Sequence, residues 1–318
     1  MSARPAAARS ADCDRRTIDG AALRRVYDAE GYVVVRELVP GELCDRVRAA
    51  FAAEVKPYRG PLYRQTTSGD PERHVFTDQG HLLNPILNLQ SLRQARFPQF
   101  RAAGLEILTH GDLHEAARAI LGAPGVIVQS MYFEGNAGTW AHQDTYYLDS
   151  AGPGGMVGAW IALEDIAAGA GRFFVYPRSH LIELALNRGD FDIAFHHGRY
   201  KQHVVDAIAA HDLTLDAPAL ARGDVLFWST RTIHGSLATT EPWRSRSSIT
   251  AHVLAAGSEL LQFQRRRRRL APVTINGVQM HLPKNQNAWG PRAVLWAESA
   301  FPTISRLAKR ATIKLMLR

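Results

Sequence analysis

The sequence predicts a mainly β protein with flanking α-helices, built as a sandwich or barrel. Three observations carry that prediction. Short apolar runs at 126–128, 156–163, 173–176, 225–228 and 248–254 are separated by clusters of Gly, Pro, Asn and Asp, as expected for many short strands joined by turns. Helical spacing is confined to residues before 122 and to the extreme C-terminus. A length of 318 residues, 46% hydrophobic and 21% charged, suffices for one sizeable core, and no internal repeat divides it.

In chain order, residues 1–16 read as disordered, being small, Ala/Arg-rich and aperiodic. Thr17 or Asp19 caps a helix that runs to about Glu30, where Gly31 stops it. Tyr32-Val33-Val34-Val35 is a β-branched strand. Pro40 opens a second helix with Leu43, Val47, Ala50 and Phe51 at helical spacing. Residues 57–100 are irregular, and a loop this long in a compact domain is usually functional or mobile. Residues 101–121 return to one helical pattern (Leu105, Leu108, Leu113, Ala117, Leu121) that ends at Gly122. The strand region then follows, interrupted at 180–215 by an insertion carrying His180, His196, His197, His203 and His211. That insertion reads as a lid or solvated loop ahead of a second metal site.

The two cysteines, Cys13 and Cys44, supply neither a disulfide framework nor a zinc spacing, which fits a reducing setting. The first residues lack the apolar core of a signal peptide, and no apolar stretch is long enough to span a bilayer. A cytoplasmic protein is expected, with peripheral contact at the inner membrane surface open. The net charge of +8 is uneven: residues 264–318 hold 12 Lys+Arg against Glu298. This tail contains an arginine run at 265–269. After Pro302, Arg306, Lys309, Arg310, Lys314 and Arg318 interleave with Leu307, Ala311 and Leu315 as a basic amphipathic helix. The readings are a solvated helix, contact with a membrane surface or anionic lipid-linked substrate, or recruitment of an acidic, phosphate-bearing carrier. Nucleic acid is not expected, because no recognition fold accompanies the charge.

The chemistry concentrates in Thr139-Trp140-Ala141-His142-Gln143-Asp144-Thr145. In a strand, residues two apart share a face, so His142 and Asp144 converge on one ion while Gln143 points away. Ile233-His234-Gly235 supplies a second imidazole. Two His and one carboxylate leave open positions on an octahedral ion and select Fe(II) oxygen chemistry. Twelve residues on, Arg246 offers a guanidinium fork for a carboxylate, and Ser248 lies on the same strand face to donate to the same group. Tyr146 and Tyr147, directly after the HxD, either wall a substrate pocket or belong to the core.

Around these residues the sequence resembles the phytanoyl-CoA dioxygenase family, from about residue 20 to 255. Ala159-Trp160-Ile161-Ala162-Leu163-Glu164-Asp165 resembles the family's W-x-A-L-x-D strand. Gly171-Arg172-Phe173-Phe174-Val175-Tyr176-Pro177-Arg178-Ser179-His180 resembles its turn ending P-G-S-H, with Arg178 in place of the usual Gly. Gly223-Asp224-Val225-Leu226-Phe227 before His234, and Glu30-Gly31-Tyr32 with Leu38-Val39-Pro40, also match.

The resemblance implies a double-stranded β-helix (jelly roll, cupin-like) using Fe(II), 2-oxoglutarate and O2. His142, Asp144 and His234 match the iron ligands, and Arg246 matches the co-substrate anchor. Trp160 and Gln129 sit where the family lines the 2-oxoglutarate pocket, or else are core residues. The expected reaction is hydroxylation of an unactivated C–H bond in a small or carrier-linked metabolite, neutral or anionic, with release of succinate and CO2. The carboxylate at Asp144 disfavours halogenation, for which related enzymes have a small residue there. The competing readings are a catalytically silent jelly-roll binding module and a non-redox metal enzyme. The expected division is a disordered segment at 1–16, a dioxygenase domain at 17–262 and a basic extension at 263–318.

Overall fold

The computed structural model describes residues 12–14, 19–65, 70–152 and 154–316. Its first elements are strand β1 (Asp12–Asp14), helix α1 (Gly20–Glu30), strand β2 (Tyr32–Arg36) and helix α2 (Gly41–Ala50). Asp19 caps α1 by accepting from the Ala21 N–H, while Thr17 lies outside the described residues. Gly31 ends the helix at φ 79°, a left-handed conformation that costs glycine little.

Strands β3 (Leu62–Tyr63), β4 (Pro71–Glu72) and β5 (Ile86–Leu87) follow, then helices α3 (Pro98–Leu108) and α4 (Gly111–Leu121). Next come β6 (Gly125–Phe133), β7 (Leu148–Ser150), β8 (Met156–Ala162) and β9 (Phe173–Val175). Helix α5 (His197–Ala210) precedes β10 (Val225–Ser229), β11 (His234–Ser236), β12 (Ser248–Ala255), β13 (Leu260–Gln262) and β14 (Arg266–Arg268). The chain closes with β15 (Val273–Ile275), β16 (Val278–Met280), α6 (Trp289–Ala300) and α7 (Pro302–Met316).

The centre is a nine-stranded sheet of order β1-β2-β10-β8-β12-β6-β16-β15, with β5 also paired to β6. Among the described residues three smaller sheets, β11-β9, β14-β13-β7 and β3-β4, accompany it in a mainly β architecture, and the barrel is not closed. Alternation along the central strands sends side chains to two separate cores. Val33, Val35, Val157, Ile161, Val225, Phe227 and Ile249 join the helical side with Val47, Phe51, Ile107, Leu113 and Ile120. Tyr32, Val34, Trp160, Leu226 and Trp228 join Phe173 and Val175 on the other side. Each fully buried Val, Ile, Leu or Phe contributes about 1.5–3 kcal/mol by leaving water, which pins the register of the sheet.

Four expectations change. Asp12–Asp14, read as part of a disordered segment, pairs parallel to β2, and Arg36 bonds Asp12 at 2.8 Å; the rest of 1–16 lies outside the described residues. Residues 101–121 form parts of two helices. Thr109 leaves helical geometry, its hydroxyl donates to the Leu105 carbonyl, and the chain restarts at Gly111. Both helices keep the apolar period, so periodicity alone does not reveal the break.

The 57–100 stretch holds short strands tied by the buried Arg64, which donates to the Asn84 and Glu72 carbonyls. The tail is not wholly appended: β16 runs parallel to β6 in the main sheet, and β14 joins β13 and β7. Among the described residues no helix is long and apolar enough to cross a membrane.

Candidate metal centre

The HxD segment is not the strand that its alternation suggested. His142 makes a reciprocal backbone pair with His234, the two N···O distances being 3.0 and 2.9 Å, and Asp144 then starts a 3-10 turn (Asp144–Tyr146). Pairing and turn together bring His142, Asp144 and His234 into one group whose ligand atoms all lie within 4.8 Å of one another. All three are buried. Gln143 turns away and donates to the carbonyls of Arg231, Ser179 and Ile182.

Each imidazole is oriented by its own backbone. His142 Nδ1 lies 2.8 Å from the Trp140 carbonyl, and His234 Nδ1 lies 2.9 Å from the Thr232 carbonyl. A carbonyl accepts only, so Nδ1 carries the proton in both rings and each Nε2 presents a lone pair. Those lone pairs face Asp144 Oδ1 at 3.5 and 3.6 Å. Three acceptors around one point, with no proton among them, form a cradle for a cation. Burial pulls His234 down to about 4 against the attraction of Asp144, so the ring is neutral near pH 7. Burial alone would raise the Asp144 carboxyl. The nearby imidazoles of His234 and His252 and the hydrogen bond from His252 outweigh it and hold the group well below the carboxylate range.

The second oxygen of Asp144 is committed elsewhere. Trp228 Nε1 donates to Oδ2 at 2.8 Å, and His252 Nε2 lies 3.0 Å from the same atom. Trp228 lies close against Gly158, where a Cβ would stand 2.3 Å from the indole, so glycine makes room for the donor. Outer partners of this kind fix which carboxylate oxygen is left for a metal.

A cavity of about 470 Å³, counting its open mouth, joins these groups to Arg246, Trp160, Phe173, Thr250, Met131, Phe133 and Gln65. Arg246 precedes β12 and is 3% exposed. Its guanidinium donates to the Gly171 carbonyl at 3.3 Å and lies 5.5 and 5.9 Å from the rings of Phe133 and Trp160, while Nε has no partner. Among the described residues no carboxylate pairs with it. Burial lowers its pKa to about 10, which still leaves a cation at neutral pH. The hydroxyl of Thr250 is likewise buried and unbonded.

Of the other candidates, Trp160 lines the cavity. Ser248 is fully buried and bonds the Arg246 carbonyl at 3.4 Å, outside the cavity lining. Gln129 sits opposite His252 in register but does not line the cavity. Tyr146 is a core residue: it is fully buried, stacked on Tyr200 at 3.5 Å, and donates to the Phe191 carbonyl. Tyr147 stays near the centre, 5.9 Å from His142 between ring centroids, with its hydroxyl bonded to His197 Nε2 at 2.7 Å.

Three functional candidates escaped the sequence reading: Trp228, Thr250 and His252. The strand period from Arg246 through 248 reaches Thr250 and His252, so two of them were available to the same argument. The histidines of 180–211 do not gather around a point. His180 bonds the Asp28 carbonyl, His196 pairs with Asp192, His197 meets Tyr147 and His203 packs on Phe191. Among the described residues the triad is the one cluster suited to a metal. Arg178 keeps the left-handed turn of its motif at φ 66°, with a side chain where glycine would be unstrained.

Comparison with known proteins places these features in a family. The phytanoyl-CoA dioxygenase (PhyH) family profile matches residues 27–246. The zebrafish (Danio rerio) protein "Phytanoyl-CoA dioxygenase domain-containing protein 1" is 26% identical over 266 residues, 71% of this chain and 86% of that protein. Among solved structures, the non-haem α-ketoglutarate-dependent carbocyclase SnoK from nogalamycin biosynthesis aligns with TM-score 0.54 and 18% identity, over 77% of this chain and 87% of that one. The epimerase SnoN in complex with Fe3+, α-ketoglutarate and nogalamycin RO aligns with TM-score 0.53 and 19% identity, over 83% and 100%. At these identities the structural likeness concerns the fold. The family match covers well over half of the chain, which therefore belongs to the phytanoyl-CoA dioxygenase family.

Proposed function

We propose that this member of the phytanoyl-CoA dioxygenase family is a mononuclear non-haem Fe(II) oxygenase that consumes 2-oxoglutarate and O2. Its iron ligands are His142, Asp144 and His234, and Arg246 holds the far carboxylate of the co-substrate. The observation that carries this reading is the buried, carboxylate-free guanidinium of Arg246 in the same cavity as the three-acceptor cluster. An uncompensated buried cation costs several kcal/mol, and a dianionic ligand that also reaches a metal cancels that cost. SnoN, of the same fold, is described with both iron and α-ketoglutarate.

Iron with 2-oxoglutarate and O2 supplies an oxidant for an unactivated C–H bond, the co-substrate leaving as succinate and CO2. The chain's own residues position and protect that chemistry. Trp140 and Thr232 carbonyls set the imidazole tautomers, and Trp228 with His252 fixes Asp144. Phe173, Trp160 and Met131 keep the cavity apolar around the charges. Helix α5, from the 180–215 segment, packs Tyr200 and His197 against Trp140, Tyr146 and Tyr147, and we assign it the role of substrate-side wall and lid. Hydroxylation of a small or carrier-linked metabolite is the proposed outcome, and the carboxylate of Asp144 disfavours halogenation.

The test is anaerobic loading with Fe(II), followed by a screen of candidate substrates for succinate release and product mass. Gain of one oxygen atom supports hydroxylation. An unchanged mass after turnover shifts the reading to epimerisation, and loss of two hydrogens shifts it to ring closure or desaturation. Activity with zinc and no succinate defeats the oxygenase reading in favour of non-redox metal chemistry. Failure to bind any metal leaves a silent binding module.

A further inference from the structure

Helix α7 is oriented opposite to an ordinary surface helix. Ile304, Leu307, Ala308, Ala311 and Leu315 recur at three-to-four spacing on one stripe, and that stripe faces outward. Ile304, Leu307 and Leu315 are 67%, 61% and 71% exposed. The face turned to the body is the charged one: Lys309 bonds Asp70 and lies 3.1 Å from Glu298, and Arg306 reaches Asp70 at 3.4 Å and Glu72 at 3.9 Å. Helix α6 and its junction extend the apolar surface with Trp289, Trp296 and Phe301, all exposed. Beyond the far end, Lys314 Nζ sits 5.5 Å from the ring centroid of the exposed Phe195. So many exposed large apolar side chains on two neighbouring helices, with cations among them, mark an interaction site.

We propose that α6 and α7 form a docking surface for an anionic lipid bilayer. Charge complementarity selects this occupant. Beyond Arg306 and Lys309, which pair with Asp70, Glu72 and Glu298, the two helices add Arg292, Arg310 and Lys314 and no further acid. Glu298 is already paired with Lys284 and Lys309. A second copy of the chain would bring the same cationic faces together and be repelled, whereas an anionic headgroup layer is attracted. Exposed tryptophans beside aliphatic residues and cations are suited to the membrane–water boundary. The inference is independent of the metal centre.

The full chain is sedimented with vesicles of phosphatidylcholine alone and of equal parts phosphatidylcholine and phosphatidylglycerol. Binding to the anionic vesicles, roughly tenfold or more above the neutral ones and weakened by salt, is expected. Ile304→Ser with Leu307→Ser and Leu315→Ser removes that binding and leaves the unfolding temperature unchanged, because the three side chains are exposed. Arg310→Glu with Lys314→Glu removes the anionic preference while the apolar stripe stays intact. The proposal is overturned if the wild type ignores anionic vesicles or if either variant binds like the wild type. It is equally overturned if the wild type forms a dimer in solution that the serine variant abolishes.

Discussion

Arg246, at the heart of the sheet, is 3% exposed and pairs with no carboxylate among the described residues; Leu307, on α7, is 61% exposed and turns its apolar side chain to water. Each group lacks the complement its chemistry asks for, but the energetic weight differs. A buried, unpaired charge costs several kcal/mol, whereas one aliphatic side chain left in water forgoes about 2 kcal/mol. The first must be built into a rigid interior and answered by a ligand. The second is tolerated on a surface helix whose hold on the body is electrostatic. The proposed occupants differ accordingly, a small dianion with a metal for the first and an extended anionic surface for the second.

The contrast breaks most sharply at the triad. His142→Ala or Asp144→Ala is expected to reduce succinate formation to background and remove iron, and unchanged succinate release from the His142 variant would sink the assignment. Next comes Arg246→Ala. Truncating one side of a buried charge pair costs about 2 kcal/mol or more, roughly thirtyfold in affinity. The 2-oxoglutarate requirement should rise by that factor with iron binding preserved, and an unmoved KM for 2-oxoglutarate would assign the guanidinium another ligand.

His252→Ala should weaken iron by roughly tenfold or more, the usual range for an outer partner of a metal ligand. Gly158→Ala, which pushes Trp228 off Asp144, should shift iron affinity in the same direction. Metal titration of the two variants checks both, and unaltered iron affinity would reduce Trp228 and His252 to packing. The smallest effect is in pH dependence of the metal-free protein. His234 and His74 are both lowered to about 4 from 6.5, chiefly by burial. Between those values the unfolded chain binds protons that the folded chain does not, so stability should fall as pH drops from about 6.5 towards 4. Melting curves with chelator present would show this, and a flat profile would contradict neutral, buried rings.

Much of the candidate site was legible because its residues bear reactive groups at informative spacing. His142, Asp144, His234 and Arg246 stand in the order that the family motifs require, and the structure brings all four to one cavity. What misled was local geometry. The HxD lies in a bridge and a 3-10 turn, where pairing with His234 replaces the strand pleat as the device that makes the side chains converge. Tyr146 and Tyr147 are adjacent and chemically alike, yet one is sealed under Tyr200 and the other remains beside His142, a division made by α5. The charge of the tail was plain, but its strands in the main sheet and its outward apolar stripe were not.

The residues alone determined the β-rich fold class, a helix capped by Thr17 or Asp19 and stopped at Gly31, and a candidate set of two imidazoles and one carboxylate, because period, capping chemistry and ligand type are local properties. The tertiary structure decided which carboxylate oxygen is free, which hydroxyls and indoles reach the cavity, and which face of α7 meets water. Those outcomes depend on partners distant in sequence, such as Trp228 and His252 on Asp144 or Asp70 beneath Lys309, and no periodicity encodes a contact across the fold.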